Sequence, residues 1–416
     1  PYCDGAQQSG IRLIYFRFAK HPSLATDFPG VETHRLQLGQ GFEPLVSELQ
    51  GVIEESGPGT YYLFDCLSDL AVDWSSDRML GNFFMLICPY ILHHGGLAYF
   101  SLLRNVHSFH TTRPVSNTAQ VLIDVYRHEE GLYIRPRKVE RRHSSTMFML
   151  HACEEDQFRP VTGSGKNTEV LSRSPWNRQR SSNKRLGVWS SVFARAEEVQ
   201  AAIERGEAPQ EDVPALVDQL LRMLTGRSGR IFQLARRHLS LEDLLNIRRR
   251  MIGTGPIGGK SIGMLLGQAI LKKADSSWED FLESHDSFYI GADVFYTYLV
   301  ENGLWWIKQK QKDPDAYLDG LELARHQMRS GSFPDYIIEQ FADLLEYFGP
   351  SPIVVRSSSL LEDSFDCASA GKAASVFCMN QGSPEQRMEE FVSAVKTVYA
   401  SGMSADSLRY RSAHGL

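Results

Sequence analysis

The chain has 416 residues, 42% apolar and 23% charged, which excludes a disordered or fibrous chain and fits a globular protein of two or three domains. A net charge of −6 argues against a dedicated nucleic-acid binder, whose balance is basic. No apolar run approaches the ~18 residues that span a bilayer and no signal peptide is evident, so a cytoplasmic protein with no membrane partner is expected.

Up to about His151, short aromatic and β-branched runs alternate with helix-like segments. The strand candidates are "IRLIYFRF" (Ile11 to Phe18), "TYYLFDCL" (Thr60 to Leu67), "GGLAYFSLL" (Gly95 to Leu103), "AQVLIDVYRH" (Ala119 to His128) and "GLYIRPRKV" (Gly131 to Val139). The helix candidates include "FEPLVSELQGVIEESG" and "MLGNFFMLICPYILHHG". Such alternation predicts a mostly parallel sheet covered by helices, with the last two strands forming an antiparallel hairpin at its edge. From Cys153 to about Lys184 the chain turns polar and loses its apolar period, which predicts a linker or exposed loop. Amphipathic helices are expected over Val192 to Glu204 and Glu211 to Thr225. A third, "SLEDLLNIRRRMI", has Ser240 as N-cap and Asp243 in the capping-box position.

The six cysteines (Cys3, Cys66, Cys88, Cys153, Cys367, Cys378) have no C-x-x-C or paired spacing and read as reduced, mostly buried thiols. His93, His94, His107 and His110 do not have the spacing of a metal-binding helix and read as packing or surface residues. The basic group Arg135, Arg137, Lys138, Arg141 and Arg142 reads as a solvated hairpin face. The chain opens on Pro1 rather than methionine and stops at "YRSAHGL", so it reads as a fragment.

The stretch "MIGTGPIGGKSIGML" from Met251 contains a Gly-Lys-Ser that invites a Walker A reading. The G-x-x-x-x-G-K-[ST] spacing that wraps N–H groups round a phosphate would need glycine at Thr254. "TGSGKNT" at Thr162 fails in the same way, with Pro160 at that place. The glycines therefore read as a turn into a helix ending near Ala274. Next come the strand-like "SFYIGADVF", helical "YTYLVENGLWWIK" and "FPDYIIEQFADLLEYFG", and a strand "IVVRSSS" after Pro352.

Taken together, the GGK loop, "SPIVVRSSSLLEDSFDCASAGKAASVFCMN" and "SADSLRYRSAHGL" resemble, in order and spacing, the N-terminal ATP-binding domain of the phosphoenolpyruvate synthase and pyruvate phosphate dikinase family. The resemblance covers about 253–416 and implies an ATP-grasp-like α+β domain, incomplete at Leu416. It implies that Gly258, Gly259 and Lys260 with Arg356 contact ATP phosphates, that Ala370, Gly371 and Lys372 cover them, and that Mg²⁺ accompanies the nucleotide. The chemistry is consistent: an arginine ending a buried strand needs an anion, and its planar fork suits phosphate oxygens. The small residues around Gly371 let backbone N–H groups come close to a polyphosphate. Other readings stay open. Arg356 could pair with Glu362 or Asp363, Gly371 could be a hairpin turn, Lys260 could be a solvated helix-start lysine, and Arg409 and Arg411 read as structural. Two blocks depart from the family pattern, "SSSLLED" for "SSATAED" and "CASAG" for "SFAG".

The first region resembles, more weakly, a RecA-type ATPase domain of the KaiC kind, on "YYLFDCLSDL" and the later hairpin. Asp65 then stands where a Walker B carboxylate holds Mg²⁺ or a water. No Walker A occurs in the chain.

The expected organisation is a multidomain α/β protein: a degenerate RecA-like parallel-sheet domain (1–151), a polar linker and helical connector (152–250), and an incomplete ATP-grasp-like domain (251–416). The resemblance implies a full-length phosphotransferase that moves phosphoryl from ATP to a histidine or small acceptor, with a phosphoacceptor histidine domain outside this chain. No catalytic residue is assigned. The alternative is a non-catalytic nucleotide sensor or scaffold, assembling as a homo-oligomer through its first domain. A third reading has nucleic acid bound by the Arg-rich stretch Arg173 to Arg185.

Overall fold

The computed structural model describes all residues except 1, 19–20, 22–29, 37–38, 40, 105, 155–156, 173–186, 208–211, 227–228, 284–285, 312–317, 360–373 and 414–416, together with the side chain of Glu279. The chain divides into two compact units, Pro1–Ser190 and Ser191–Leu416.

The first unit begins with α1 (Tyr2–Gln8), β1 (Leu13–Arg17), β2 (Val31–Arg35), α2 (Phe42–Ser56), β3 (Tyr61–Asp65), α3 (Leu67–Asp73), α4 (Asp77–His93) and β4 (Leu97–Phe100). The four strands form a parallel sheet in the order β2-β1-β3-β4. β1 is buried at Leu13, Ile14, Tyr15 and Phe16 in succession, the pattern of a strand covered on both faces. α4 is started by Ser76, whose hydroxyl accepts the Met79 N–H, and its Phe83 and Phe84 pack edge-on against Phe64 and Phe100. β2, "VETHR", was not expected. It is an edge strand with little burial and so carries no apolar run.

The rest of this unit is α5 (Phe109–Thr118), β5 (Val121–His128), β6 (Gly131–Val139), β7 (His151–Glu154), β8 (Gln157–Pro160) and α6 (Ser164–Ser172). The β5–β6 hairpin forms as expected, but it belongs to a separate antiparallel sheet, β5-β6-β7-β8, rather than to the edge of the parallel one. The stretch read as a linker from Cys153 supplies β7, β8 and α6. β8 is exposed throughout, β7 is only four residues long and α6 buries only Val170, so no apolar period betrays them.

The second unit continues from α7 (Val188–Glu204) with α8 (Val213–Thr225), α9 (Arg230–His238), α10 (Leu241–Arg249), β9 (Met251–Ile252) and α11 (Gly259–Ala274). The Ser240–Asp243 capping box at α10 is formed in both directions. Asp212 caps α8 through the Ala215 N–H. After a 3₁₀ turn at Ser276–Asp280 come β10 (Tyr289–Ile290), α12 (Ala292–Glu301), α13 (Trp305–Lys310), α14 (Leu321–Ser330), α15 (Asp335–Phe348), β11 (Ile353–Arg356), β12 (Ser375–Cys378), α16 (Pro384–Ser401) and α17 (Ala405–Ala413). The strand expected in "SFYIGADVF" shrinks to two residues paired with β9, because Gly291 and Ala292 turn straight into α12. The helix expected through "YTYLVENGLWWIK" is broken at Gly303, which adopts φ 67°. Tyr298, Met328, Phe341, Phe391 and Val395 centre the core of this unit.

Among the described residues, no helix is long and apolar enough to cross a membrane. Cys66, Cys88 and Cys378 are buried free thiols, Cys3 and Cys153 are half-buried, and Cys367 lies outside the described residues.

Candidate functional site

The glycine loop between β9 and α11 is held from several sides. Gly253 has φ 76° and donates its N–H to Gln340 Oε1 at 3.0 Å. A side chain there would meet Val294 and Asp293 at 2.4 and 2.5 Å, so only glycine fits. Thr254 donates its N–H and hydroxyl to the two oxygens of Asp293, at 2.7 and 2.6 Å. Asp293 is buried in the first turn of α12, where the helix dipole favours a carboxylate. It lies close enough to Tyr399 to push that phenol's pKa up, although burial is the larger cause.

Beyond the loop, Gly258 and α11 rest on the chain just after β11. A Cβ on Gly258 would fall 1.5 Å from the Ser358 carbonyl oxygen. Gly259 donates its N–H to Ser359 O at 3.0 Å, and Ser261 donates its N–H to Ser358 Oγ at 3.1 Å. These contacts take the place of a side-chain N-cap, which α11 lacks at Gly258. Lys260 Nζ donates to Ser357 Oγ at 3.3 Å, across 97 residues of sequence. Two blocks that are far apart in sequence are thus one structure, with an ammonium, three serines and a helix N-terminus grouped beside the strand that ends in Arg356. This is donor chemistry suited to phosphate oxygens.

Arg356 departs from its expected setting. Among the described residues β11 is not a buried strand: it pairs only with β12, and it buries Val355 while Val354 and Arg356 stay exposed. The reason is that a two-stranded sheet covers one face and leaves the other open. The guanidinium needs no buried counter-ion, so its presence is no longer by itself a sign of an anion. Among the described residues Arg356 makes no ion pair with a carboxylate; Glu362 and Asp363 lie outside them, as do Ala370, Gly371 and Lys372. Arg411 donates to Gly402 O and Arg409 lies 3.6 Å from Asp406, both local structural contacts.

Sequence reading missed Asp293, Gln340 and Ser357 to Ser359. Asp293 carried a usable signal, a carboxylate in the first turn of a helix after Gly-Ala. Gln340 is an ordinary residue mid-helix in α15, and nothing local marks it.

In the first unit, Asp65 ends β3 opposite Arg17 of β1, at the point where the strand order reverses. Its carboxylate is buried and accepts from Tyr15 Oη at 2.7 Å and Ser101 Oγ at 3.1 Å, with His21 Nε2 3.5 Å away. These side chains already serve as its partners. His107, read as a packing or surface residue, is buried between Ser68 and Asp77. Nδ1–H donates to Asp77 Oδ1 at 2.7 Å, and Nε2 lies 2.8 Å from Ser68 Oγ. The order Ser-His-Asp is that of a nucleophilic triad. Ser68 is only 3% exposed, however, and its oxygen also accepts the Leu103 N–H, so the trio is a sealed structural network.

Residues 255–416 match the family described as pyruvate phosphate dikinase, AMP/ATP-binding domain. The match takes in Gly258 to Lys260, the serines they rest on and Arg356. It covers less than half of the chain. Among solved structures, the chain is similar to a KaiC-like protein from the hyperthermophilic archaeon Pyrococcus horikoshii, at 12% identity over 38% of this chain and 80% of that one. The TM-score is 0.30, too low to carry an inference. No curated protein matches the chain.

Proposed function

We propose that residues 253–416 bind ATP at the junction of the glycine loop and the end of β11, and that the full-length protein is a phosphotransferase. The observation that carries this reading is the docking of Gly258, Gly259 and Lys260 onto Ser357 to Ser359 inside a segment matching an AMP/ATP-binding domain. Lys260 meets the phosphates from α11. Arg356 reaches them from the open face of β11, and the family resemblance gives Ala370, Gly371 and Lys372, outside the described residues, a part in covering them. Phosphoryl transfer asks for such positioning and charge neutralisation more than for covalent chemistry. The groups hydrogen-bonded at this junction include the Lys260 ammonium, the Ser261, Ser357 and Ser358 hydroxyls and the Gly259 and Ser261 backbone amides. They fit phosphate oxygens rather than Mg²⁺, which would arrive with the nucleotide. The architecture in this reading is an ATP-grasp-like domain preceded by a helical connector and a RecA-like domain. The acceptor, a histidine or a small molecule, lies outside the chain, and the location is cytoplasmic. Calorimetry with ATP should show saturable binding that Lys260→Ala and Arg356→Ala each weaken at least tenfold. Equal affinity in all three proteins would reject the site.

A second reading, a nucleotide sensor or scaffold, is favoured by one observation. The Asp65 carboxylate is engaged by Tyr15 and Ser101 rather than held out for a metal-bound nucleotide. Release of AMP or ADP from ATP by the full-length protein separates the readings, since a sensor would assemble with nucleotide but not turn it over.

A further inference from the structure

In the first unit α6 is held to the antiparallel sheet by a small core: Tyr126, Tyr133, Leu150 and Val170 are its buried residues. At the rim of that core three side chains from three local elements converge. His128 ends β5 with a side chain 7% exposed, Glu129 opens the β5–β6 turn, and Glu169 projects from α6. His128 Nε2 lies 3.1 Å from Glu169 Oε1 and 3.9 Å from Glu129 Oε1, and the three ligand atoms all lie within 4.8 Å of one another. Lys166 is close by, but on the far side of both carboxylates: its Nζ lies 3.4 Å from Glu169 Oε2 and 3.7 Å from Glu129 Oε2. Each carboxylate therefore turns one oxygen to the lysine and the other to the imidazole.

We propose that His128, Glu129 and Glu169 form a binding site for a divalent transition metal of the zinc type, which clips α6 to β5. A metal about 2.0–2.2 Å from nitrogen and oxygen ligands sets neighbouring ligand atoms roughly 3.0–3.5 Å apart. The His128–Glu169 pair already has that spacing, and Glu129, with an exposed side chain, closes the remaining gap by a small rotation. One imidazole with two carboxylates suits zinc, manganese or iron(II) better than calcium or magnesium, which take oxygen-only sets. With His128 neutral, two carboxylates and one ammonium leave a net negative charge that attracts a cation. Lys166 limits that charge through the outer oxygens of both carboxylates. The buried imidazole supplies a fixed ligand, Glu169 is half-buried, and the exposed Glu129 supplies entry. Two other ligand positions are left to water, so the site is open on the solvent side.

The competing account is an ion-pair cluster in which a protonated His128 bridges the two carboxylates and no metal binds. Titration of the full chain with Zn²⁺, and with Co²⁺ read by its visible absorption, distinguishes the two. The expected result is one more bound equivalent in the wild type than in His128→Asn or Glu169→Gln, with at least tenfold weaker binding in each variant. Lys166→Met should keep that equivalent. Zn²⁺ should also raise the thermal midpoint of the wild type and not that of Glu169→Gln, which keeps an acceptor oxygen towards His128. Equal stoichiometry and affinity in the wild type and both ligand variants, or no saturable binding at all, would overturn the proposal.

Discussion

Gly258→Ala is the sharpest probe of how the glycine loop is built. Gly258 has φ −75°, a conformation any residue adopts, so the substitution introduces no backbone strain of its own. Its methyl would instead fall 1.5 Å from Ser358 O and 2.1 Å from Ser358 C. Both are backbone atoms, and reaching ordinary contact requires the two segments to part by roughly 2 Å. That movement breaks the Gly259–Ser359 and Ser261–Ser358 hydrogen bonds and withdraws Lys260 from Ser357. Overpacking of this kind costs about 1–3 kcal/mol, and each lost hydrogen bond about 1 kcal/mol more. The expected loss is therefore about 3–5 kcal/mol in urea unfolding, together with loss of ATP binding by calorimetry. Gly263→Ala, on the same helix with nothing within 4 Å of its Cβ, is the control and should stabilise by about 0.5–1 kcal/mol. A Gly258→Ala protein with wild-type stability and wild-type ATP affinity would refute the packing described for this loop.

Other outcomes follow from the same geometry. Asp293→Ala strips Thr254 of both acceptors and should cost about 2–3 kcal/mol in chemical denaturation, with weaker ATP binding; Asp293→Asn should recover part of each. His107→Ala leaves Ser68 and Asp77 facing a cavity and should lower stability by about 2–4 kcal/mol, while ATP binding in the second unit stays unchanged. Burial pushes the thiols of Cys88 and Cys378 from 9.0 up to about 11. The folded state thus holds protons that the unfolded state releases, so stability should fall as pH rises from about 9 towards 11. Urea midpoints measured across that range check the sign, and a midpoint that rises with pH would contradict it.

Much of this fold could be read from the chain because its signals were local. The glycine loop into α11, the Ser240–Asp243 box and the β5–β6 hairpin each follow from a few adjacent residues whose backbone preferences agree. β2 and β8 could not be read because they are short and largely exposed, and β7 because it is only four residues long, too few to show a period. The site divides in the same way. Lys260 stood out for its glycines, and the structure sets it on Ser357. The buried strand assumed for Arg356 was wrong, because burial depends on what covers a face and not on how apolar a run is. Asp293 and Gln340 hold the loop through contacts 39 and 87 residues away in sequence, a distance at which periodicity carries no information.

The central claim is that Lys260 and its serine platform bind the phosphates of a nucleotide. Affinities for adenosine, AMP and ATP, measured by calorimetry on the wild type and on Lys260→Ala, test it most directly. The account predicts affinity rising with each added phosphate in the wild type, and a much flatter series in the variant. Equal affinity for adenosine and ATP, or a Lys260→Ala series parallel to the wild type, would contradict it.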